Sequence, residues 1–312
     1  MSRLRAWADD TLWGPETASR LVVVHVGLSA LIGVRIVAGS YRQLANTPKA
    51  LVDPVPFLGW LDRMPSAQVF VALQVIGGLA ALAAVLRRHP RLAFAVAWLC
   101  YLVLAGLRGS RGKVLHNDLL LLWASTPFLL APVAVDLRDR IARRGYGWPV
   151  RVAMVITTLA YLFAGYHKLR RSGLDWAFGD NMRYIMLWGP SIGHTPWEAG
   201  ARFVGEHLWA AKASSTAILG LELTFPLVLV FKRTRVWYVL TAVGLHVGTW
   251  LLLGLDYWAW ALTVPLLFID WPAVAERTRA WWAARGSRAA GPADAGEPPA
   301  GDQVPGPVPV GG

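Results

Sequence analysis

Long apolar runs, separated by short polar clusters, dominate the amino-acid sequence. A membrane-spanning helix needs about 20 mostly apolar residues, and eight stretches of the chain approach that length. They cover approximately residues 21–38, 67–86, 92–107, 115–135, 150–168, 214–231, 236–254 and 257–271. The pattern therefore predicts an all-α protein, a polytopic membrane helix bundle with about eight transmembrane helices.

Three segments outside these runs have a different character. Residues 1–20 are expected to form an N-terminal segment, and residues 272–312 a tail that is disordered from about 286, where Pro, Gly and Ala dominate. The long connection at about 169–213 is rich in Trp, Tyr and Met and is expected to be amphipathic. Within it, one helical stripe would contain Trp197, Ala201, Val204, Leu208 and Ala211.

Composition and charge support a membrane location. Of 312 residues, 55% are hydrophobic and 16% are charged, whereas an average soluble domain has about 25% charged residues. This excludes a disordered chain, a disulfide scaffold and an ordinary soluble enzyme. With the N-terminus in the cytoplasm, 18 of the 31 Lys and Arg residues lie on the cytoplasmic side, 12 lie on the other side, and Arg35 lies within a span.

That bias predicts an integral protein of a bacterial plasma membrane with both termini in the cytoplasm. The basic residues flank the apolar runs and do not share one face, so no nucleic-acid partner is expected despite the net charge of +12. The expected partner is the lipid bilayer.

Ionisable residues inside membrane spans are costly, so each is a candidate functional residue. In this topology five spans carry ionisable or other polar groups in their extracytoplasmic half, and His25 is an exception near the other side. The groups are Arg35, His116, Asn117, Asp118, His167, Lys168, Glu222 and His246. Their common depth predicts one polar cavity that opens to the extracytoplasmic side. Glu222 and His246 are expected to pair with each other or with Arg35.

This arrangement suggests proton chemistry on a lipid-soluble molecule. An apolar boundary disfavours the charged form of a lysine, and a neutral lysine amine such as that of Lys168 can act as a general base. His116, at matching depth, could hydrogen-bond a substrate or an oxyanion, and Asn117 could do the same. The alternative is that His116, Asn117 and Asp118 only cap a helix while Lys168 extends to the surface.

A metal site is not predicted. The sequence has no His-x-x-x-His or Glu-x-x-His pair on a candidate helix, which is the spacing that helical metal sites use. His116, Glu222 and His246 could still meet in space.

One stretch resembles a known family. FAGYHKLRRSGLDWAFGDNMRYIM, residues 163–186, resembles the hallmark of the HTTM family, the membrane domain shared with vitamin K-dependent γ-glutamyl carboxylases. The matching positions are Ala164, Gly165, Lys168, Leu169, Asp175, Trp176 and Gly179. Residues 114–122, 220–235 and 245–271 resemble further segments of the family in the same order. The resemblance implies that residues 21–271 form an HTTM-like transmembrane domain.

The resemblance also implies a cofactor and roles for residues. The cofactor would be a reduced quinone of the vitamin K or menaquinone type, and no metal. Lys168 would be the catalytic base and His116 would assist it. Residues expected to bind the substrate or cofactor are Asn117, Arg35, Glu222, His246, Asp175 and Trp176. In the carboxylases, oxygenation of the quinone is coupled to carboxylation of a peptide glutamate.

Three functional hypotheses follow. The first is an enzyme that oxygenates a reduced quinone with Lys168 as base. The second is a non-catalytic membrane partner or scaffold whose cavity binds a lipid or quinone. The third is a proton-coupled transporter that uses Glu222, His246 and Arg35. Replacement of Lys168 would most affect the enzyme, and replacement of Glu222 the transporter.

Overall fold

The computed structural model describes residues 2–112, 116–133, 141–191 and 195–289. These residues form helices, turns and two isolated β-bridges, without a strand of a sheet. The expected all-α class is therefore confirmed. The described chain consists of a helical bundle that extends to Trp271 and a second unit that begins at Pro272.

Six α-helices form the described part of the first half of the bundle. The helices in this half are α1 (Ser2–Trp13), α2 (Ala18–Ala38), α3 (Ala67–Val85), α4 (Pro90–Gly109), α5 (His116–Ser125) and α6 (Arg144–Ser172). Thr17 caps α2, because its hydroxyl accepts a hydrogen bond from the Arg20 backbone N–H at 3.3 Å. At Gly77 of α3 a Cβ atom would lie 2.8 Å from side-chain atoms of Cys100 and Ile36, so glycine permits the close packing of α2, α3 and α4.

The second half contains more numerous and shorter helices. They are α7 (Asp175–Phe178), α8 (Asn181–Ser191), α9 (Glu198–Glu206), α10 (Leu208–Thr224), α11 (Leu227–Val230), α12 (Arg235–Leu253), α13 (Trp258–Phe268) and α14 (Trp271–Ala289). Gly254 ends α12 in the left-handed conformation, with φ of 64°. The turn that it forms leads directly to residues 256–258, which contribute to the site described below.

Five helical segments are long and apolar enough to cross a membrane: Ala18–Ala38, Ala67–Val85, Pro90–Gly109, Arg144–Ser172 and Lys232–Leu253. A sixth candidate combines Trp258–Phe268 with Trp271–Arg285. These helices are consistent with an integral membrane protein. Of the remaining predicted spans, 115–135 and 214–231 are divided into shorter helical pieces in the described residues, and 257–271 contains one short helix.

Proline explains two of these divisions. The predicted span 115–135 changes from α5 to a 3-10 turn at Thr126–Leu130, which contains Pro127, and the span 214–231 is broken between α10 and α11 by Pro226. Proline lacks an N–H group and clashes with the preceding turn, so it ends or bends a helix. The predicted span 257–271 ends early, at Phe268.

In the predicted amphipathic segment 169–213, the described residues form several helices and not one continuous helix. The stripe expected from Trp197 to Ala211 is interrupted at His207, where α9 ends and α10 begins. A small apolar cluster holds the segment together: Met182, Met186 and Ala211 are buried, and Trp176 and Leu252 pack against them.

In the second unit, α14 continues to Ala289. Most of the tail that the sequence predicts to be disordered, residues 290–312, lies outside the described residues.

Candidate functional site

Several of the predicted polar residues meet at one end of the bundle, where α2, α4 and α6 terminate. Asp118 stands at the start of α5 in the same region. It is 2% exposed and accepts hydrogen bonds from Arg35 Nε at 3.0 Å, Tyr101 Oη at 2.7 Å and Arg108 Nη1 at 3.2 Å. Arg35, 4% exposed, also pairs with the half-exposed Asp256.

We call this group the Asp118 cluster; it comprises Arg35, Tyr41, Tyr101, Arg108, Asp118 and Asp256. The guanidinium of Arg108 lies 4.3 Å from the ring centroid of Tyr41, a cation–π contact. The Tyr41 hydroxyl is buried and has no hydrogen-bond partner within the described residues. Burial raises the pKa of Tyr41 to about 12, and the Arg108 cation opposes that rise. Two arginines and two aspartates thus balance one another in this cluster.

Lys168 occupies a second group at the same end. Its ammonium pairs with Glu222 of α10 and lies 4.9 Å from the ring centroid of Trp176. We call Lys168 and Glu222 the Lys168 pair. The side chain of Lys168 is 23% exposed and that of Glu222 is 8% exposed. The second carboxylate oxygen of Glu222, Oε2, is buried and unpaired among the residues that the structure describes.

Gly165 explains how α6 and α10 come close enough for this pair. A Cβ atom at Gly165 would lie 3.0 Å from Cβ of Glu222, so a larger residue would push the two helices apart. Gly165 and Lys168 are three positions apart, which places them on the same helix face. The Ala-Gly-x-x-Lys part of the motif therefore has a packing role as well as a polar one.

An aromatic group surrounds His246 close to the Lys168 pair. The His246 Nε2 atom and the Tyr161 hydroxyl are 2.6 Å apart, and both side chains are buried. The ring centroids of Tyr257 and Trp260 lie 5.7 and 5.3 Å from that of His246. Phe225 stacks on Tyr161 with a centroid distance of 4.1 Å. We call these five residues the aromatic group.

The segment 256–258 joins the two polar sites. Asp256 pairs with Arg35, Tyr257 stacks on His246, and the Trp258 ring lies beneath the Arg35 guanidinium at 5.4 Å. One short connection between α12 and α13 therefore contacts both the Asp118 cluster and the aromatic group. A mutation in this connection would therefore affect both the Asp118 cluster and the aromatic group.

The other predicted site residues are placed as follows. Asn117 precedes Asp118, and its buried Oδ1 atom has no partner among the described residues. Asp175 is exposed at the start of α7. The backbone of His116 begins α5, but its side chain lies outside the described part of the structure. A contact between His116 and Lys168 thus stays a prediction. The described residues contain no group of three metal-ligating side chains.

The pairing expected from the sequence differs from the observed contacts. Glu222 contacts Lys168, and His246 contacts Tyr161; neither contacts Arg35, which pairs with Asp118 and Asp256. Sequence reasoning also missed Tyr101, Tyr161, Tyr257 and Asp256. Of these four residues, Asp256 could have been identified from the sequence. It is an acidic residue between two apolar runs, at the predicted depth of Arg35, and is therefore an expected ion-pair partner of Arg35.

A small cavity lies at the other end of the bundle, beside His25, Arg87 and Arg91. Its volume is about 30 Å³, which is room for a few water molecules. It is too small for a quinone ring and lies away from the predicted site. The His25 ring packs against Phe94, with centroids 4.7 Å apart.

Comparisons with protein-family models, with curated proteins and with solved structures found no match to this chain.

Proposed function

We propose that this chain is an integral membrane protein of the HTTM type that binds a reduced quinone and deprotonates it with the Lys168 pair. In this proposal the eight apolar segments form one bundle, completed by α5, by α10 with α11, and by α13. Both termini lie in the cytoplasm and the site faces the extracytoplasmic side. Support comes from the resemblance around Lys168 and from the charge distribution.

The observation that carries the proposal is the contact of Lys168 with a buried carboxylate that keeps one oxygen unpaired. The ammonium–carboxylate form and the amine–carboxylic acid form of the pair contain the same number of protons. In either form the Lys168 pair can accept one more proton, which leaves an ammonium at Lys168 Nζ and a neutral carboxyl at Glu222. The two groups therefore act as one coupled base.

The surroundings of the pair fit an aromatic ligand. Trp176 and Trp260 are part-buried, and their rings are of the kind that stack on planar molecules. The unpaired acceptor atoms Glu222 Oε2 and Asn117 Oδ1 are suited to hydroxyl donors. A bound reduced quinone supplies an acidic phenol and, once deprotonated, an electron-rich ring that reacts with O₂.

Each residue has a stated task in this proposal. The phenol proton enters the pair at Lys168 Nζ when Lys168 is the neutral amine, and at Glu222 when Lys168 is the ammonium. Trp176 covers the Lys168 ammonium and limits its access to water. His116 assists Lys168 by hydrogen bonding, as the resemblance implies. Carboxylation of a peptide coupled to this step would be an additional activity.

The test uses the purified protein in detergent with reduced menaquinone or vitamin K hydroquinone and oxygen. Quinone epoxide is measured against time for the wild type and for Lys168→Met, Glu222→Gln and His116→Ala. A matched control is Lys49→Met, because Lys49 is an exposed lysine paired with the exposed Asp62. Loss of a general base lowers rates by about 10²–10⁴-fold, which is expected for Lys168→Met. Lys49→Met is expected to keep the wild-type rate.

A second candidate function has one specific observation in its favour. The charges of Arg35, Asp118 and Asp256 are fully engaged with one another, as in a scaffold that needs no turnover. Quinone binding without epoxide, unchanged in Lys168→Met, would support that non-catalytic reading and exclude the enzyme. Absence of quinone binding would instead direct attention to Glu222 and to proton-coupled transport.

A further inference from the structure

A cluster of arginines at the end of the bundle opposite Lys168 is not explained by the proposed function. Glu16, in the connection between α1 and α2, is 7% exposed and contacts Arg20 at 3.3 Å and Arg151 at 2.7 Å. Arg20 also contacts the half-exposed Asp270 at 3.5 Å and the Leu267 carbonyl at 3.3 Å. Together with Arg235 these residues form what we call the Glu16 cluster: Glu16, Arg20, Arg151, Arg235 and Asp270.

The backbone holds Glu16 in place. The Glu16 N–H donates to the Arg143 carbonyl at 3.2 Å, and the Arg143 N–H donates to the Glu16 carbonyl at 2.9 Å. This bridge joins the start of α2 to the start of α6. These two backbone hydrogen bonds fix the position of Glu16, so its carboxylate is held in place by the fold.

Arg235 is the member whose charge is least compensated. It begins α12, and its Nε donates to the Val228 carbonyl at 3.0 Å, its one hydrogen bond within the described residues. Among the described residues no carboxylate forms an ion pair with Arg235, whereas Arg20 and Arg151 both contact Glu16. The start of α12 lies beside Arg151, because Lys232 contacts Asp10 at 3.5 Å and a Cβ atom at Gly14 would lie 3.2 Å from Asp10 Oδ1 and 3.3 Å from Arg151 Nη2. A partly buried guanidinium in such surroundings favours an additional anion.

Two further donors in the cluster lack acceptors. The Nε atoms of Arg20 and Arg151 are buried without a hydrogen-bond partner in the described chain, and the two residues are 5% and 9% exposed. Buried donors without partners are costly. Three arginines against one buried and one half-exposed carboxylate thus leave both a surplus of positive charge and unsatisfied donors.

The position of the cluster defines the class of ligand. Arg20, Arg151 and Arg235 lie near the N-terminal ends of α2, α6 and α12, and each of these helices is a candidate membrane span. The ends of membrane spans lie at the depth of lipid headgroups, and basic pockets between such helices bind anionic headgroups. Guanidinium groups bind phosphate through two parallel hydrogen bonds.

We propose that the Glu16 cluster is a binding site for an anionic phospholipid, with Arg235 contacting the phosphodiester. Arg20 and Arg151 supply the positive field, and Glu16 keeps these two guanidinium groups in position. A zwitterionic lipid is disfavoured, because its ammonium group would be repelled by the same arginines.

The experiment measures lipid binding by the full-length protein in detergent at high ionic strength, where attraction to exposed charges is screened. Native mass spectrometry quantifies bound phosphatidylglycerol, whose single charge is its phosphodiester, and bound phosphatidylcholine. The variant is Arg235→Gln. Its control is Arg233→Gln, which removes an exposed arginine from the adjacent turn.

We expect one tightly bound phosphatidylglycerol in the wild type and in Arg233→Gln. Arg235→Gln should weaken that binding by at least about tenfold, the loss of a charge-assisted hydrogen bond. Without lipid, the thermal midpoint of Arg235→Gln should equal or exceed that of the wild type, since a repulsive charge has been removed.

Four results would overturn the proposal. They are equal phosphatidylglycerol binding by Arg235→Gln, equal loss in Arg233→Gln, equal binding of phosphatidylcholine, and a lower thermal midpoint of lipid-free Arg235→Gln, which would make Arg235 a structural residue. Inorganic phosphate is tested in parallel. If it stabilises the lipid-free protein as much as phosphatidylglycerol does, the ligand is a free phosphate and not a lipid.

Discussion

At one end of the bundle, Arg35 contacts Asp118 and Asp256, and Arg108 also contacts Asp118. At the other end, Arg20 and Arg151 contact Glu16, Arg20 also contacts Asp270, and Arg235 has no ion pair among the described residues. Both ends contain one buried and one half-exposed carboxylate, so they differ in the number of cations. The Asp118 cluster is balanced by its own residues. The Glu16 cluster has a positive charge left over, in Arg235.

This difference distinguishes polar groups that stabilise the fold from those that need a ligand. A buried ion pair is strongly destabilised when one partner is removed, because the remaining charge is uncompensated. A balanced cluster should therefore respond to mutation with a loss of stability and little change in ligand binding. Mutation of an unbalanced cluster should change both the stability and the ligand binding.

The largest effect is expected for Glu16→Gln. This change removes the one buried carboxylate of the Glu16 cluster and leaves Arg20 and Arg151 without their main partner. The free energy of unfolding should fall by about 3–5 kcal/mol, measured by denaturant unfolding in mixed micelles. Asp9→Asn, at an exposed position of α1, is the control and should change stability little. A loss below about 1 kcal/mol in Glu16→Gln would show that the cluster is solvated and not buried.

Asp118→Asn is expected to have the next largest effect. Arg35 would retain Asp256 as a charged partner, and the new amide oxygen can still accept one hydrogen bond, so the loss should be about 3 kcal/mol. The comparison is Asp256→Asn, whose carboxylate is 47% exposed and should contribute about 1 kcal/mol or less. The same unfolding assay measures both. Equal losses of unfolding free energy in the two variants would contradict the observation that Asp118 is buried and Asp256 is half-exposed.

The Lys168 pair should show a moderate coupling energy. A double-mutant cycle with Lys168→Met and Glu222→Gln is expected to give about 1–3 kcal/mol, because the pair is largely removed from water. The matched cycle uses Lys232→Met and Asp10→Asn, an ion pair at 3.5 Å whose side chains are 61% and 57% exposed. That pair should give less than about 1 kcal/mol. Similar coupling in both cycles would argue against a special environment for Lys168.

The smallest effect at neutral pH is expected for Tyr41→Phe. The hydroxyl has no partner to lose, so stability should change by less than about 1 kcal/mol. The phenol pKa is raised from 10 to about 12 by burial, so the folded protein keeps a proton that the unfolded chain loses between these values. Stability should therefore fall as pH rises through this window, and Tyr41→Phe should reduce the fall by about 2 kcal/mol. Identical pH profiles would refute this assignment.

Much of the fold could be predicted from the apolar pattern, because a helix that crosses a membrane needs a long run of apolar residues. The prediction was weakest at Pro127 and Pro226, where an apolar run continues but the helix does not. Hydropathy does not register the missing N–H group of proline, so the sequence pattern overestimated the number of unbroken spans.

The candidate site could be predicted in part. Depth counting indicated that Arg35, Asp118 and Lys168 belong to the same end of the bundle, and these residues do meet there in two adjacent groups. Their partners could not be inferred, since Tyr101 and Tyr161 resemble ordinary apolar positions in the sequence. The involvement of Asp256 depends on the turn at Gly254, which directs the chain back toward Arg35 and His246.

By itself, the sequence determined the helical class, the apolar segments and the approximate position of each charged residue along its helix. These properties depend on the order of residues along a helix and on its constant rise. Only the tertiary structure decided which charges pair, that Gly165 brings Glu222 to Lys168, and that Glu16 joins Arg20 of α2 to Arg151 of α6. Such contacts depend on the rotation and spacing of helices distant in the chain, and side-chain packing sets both.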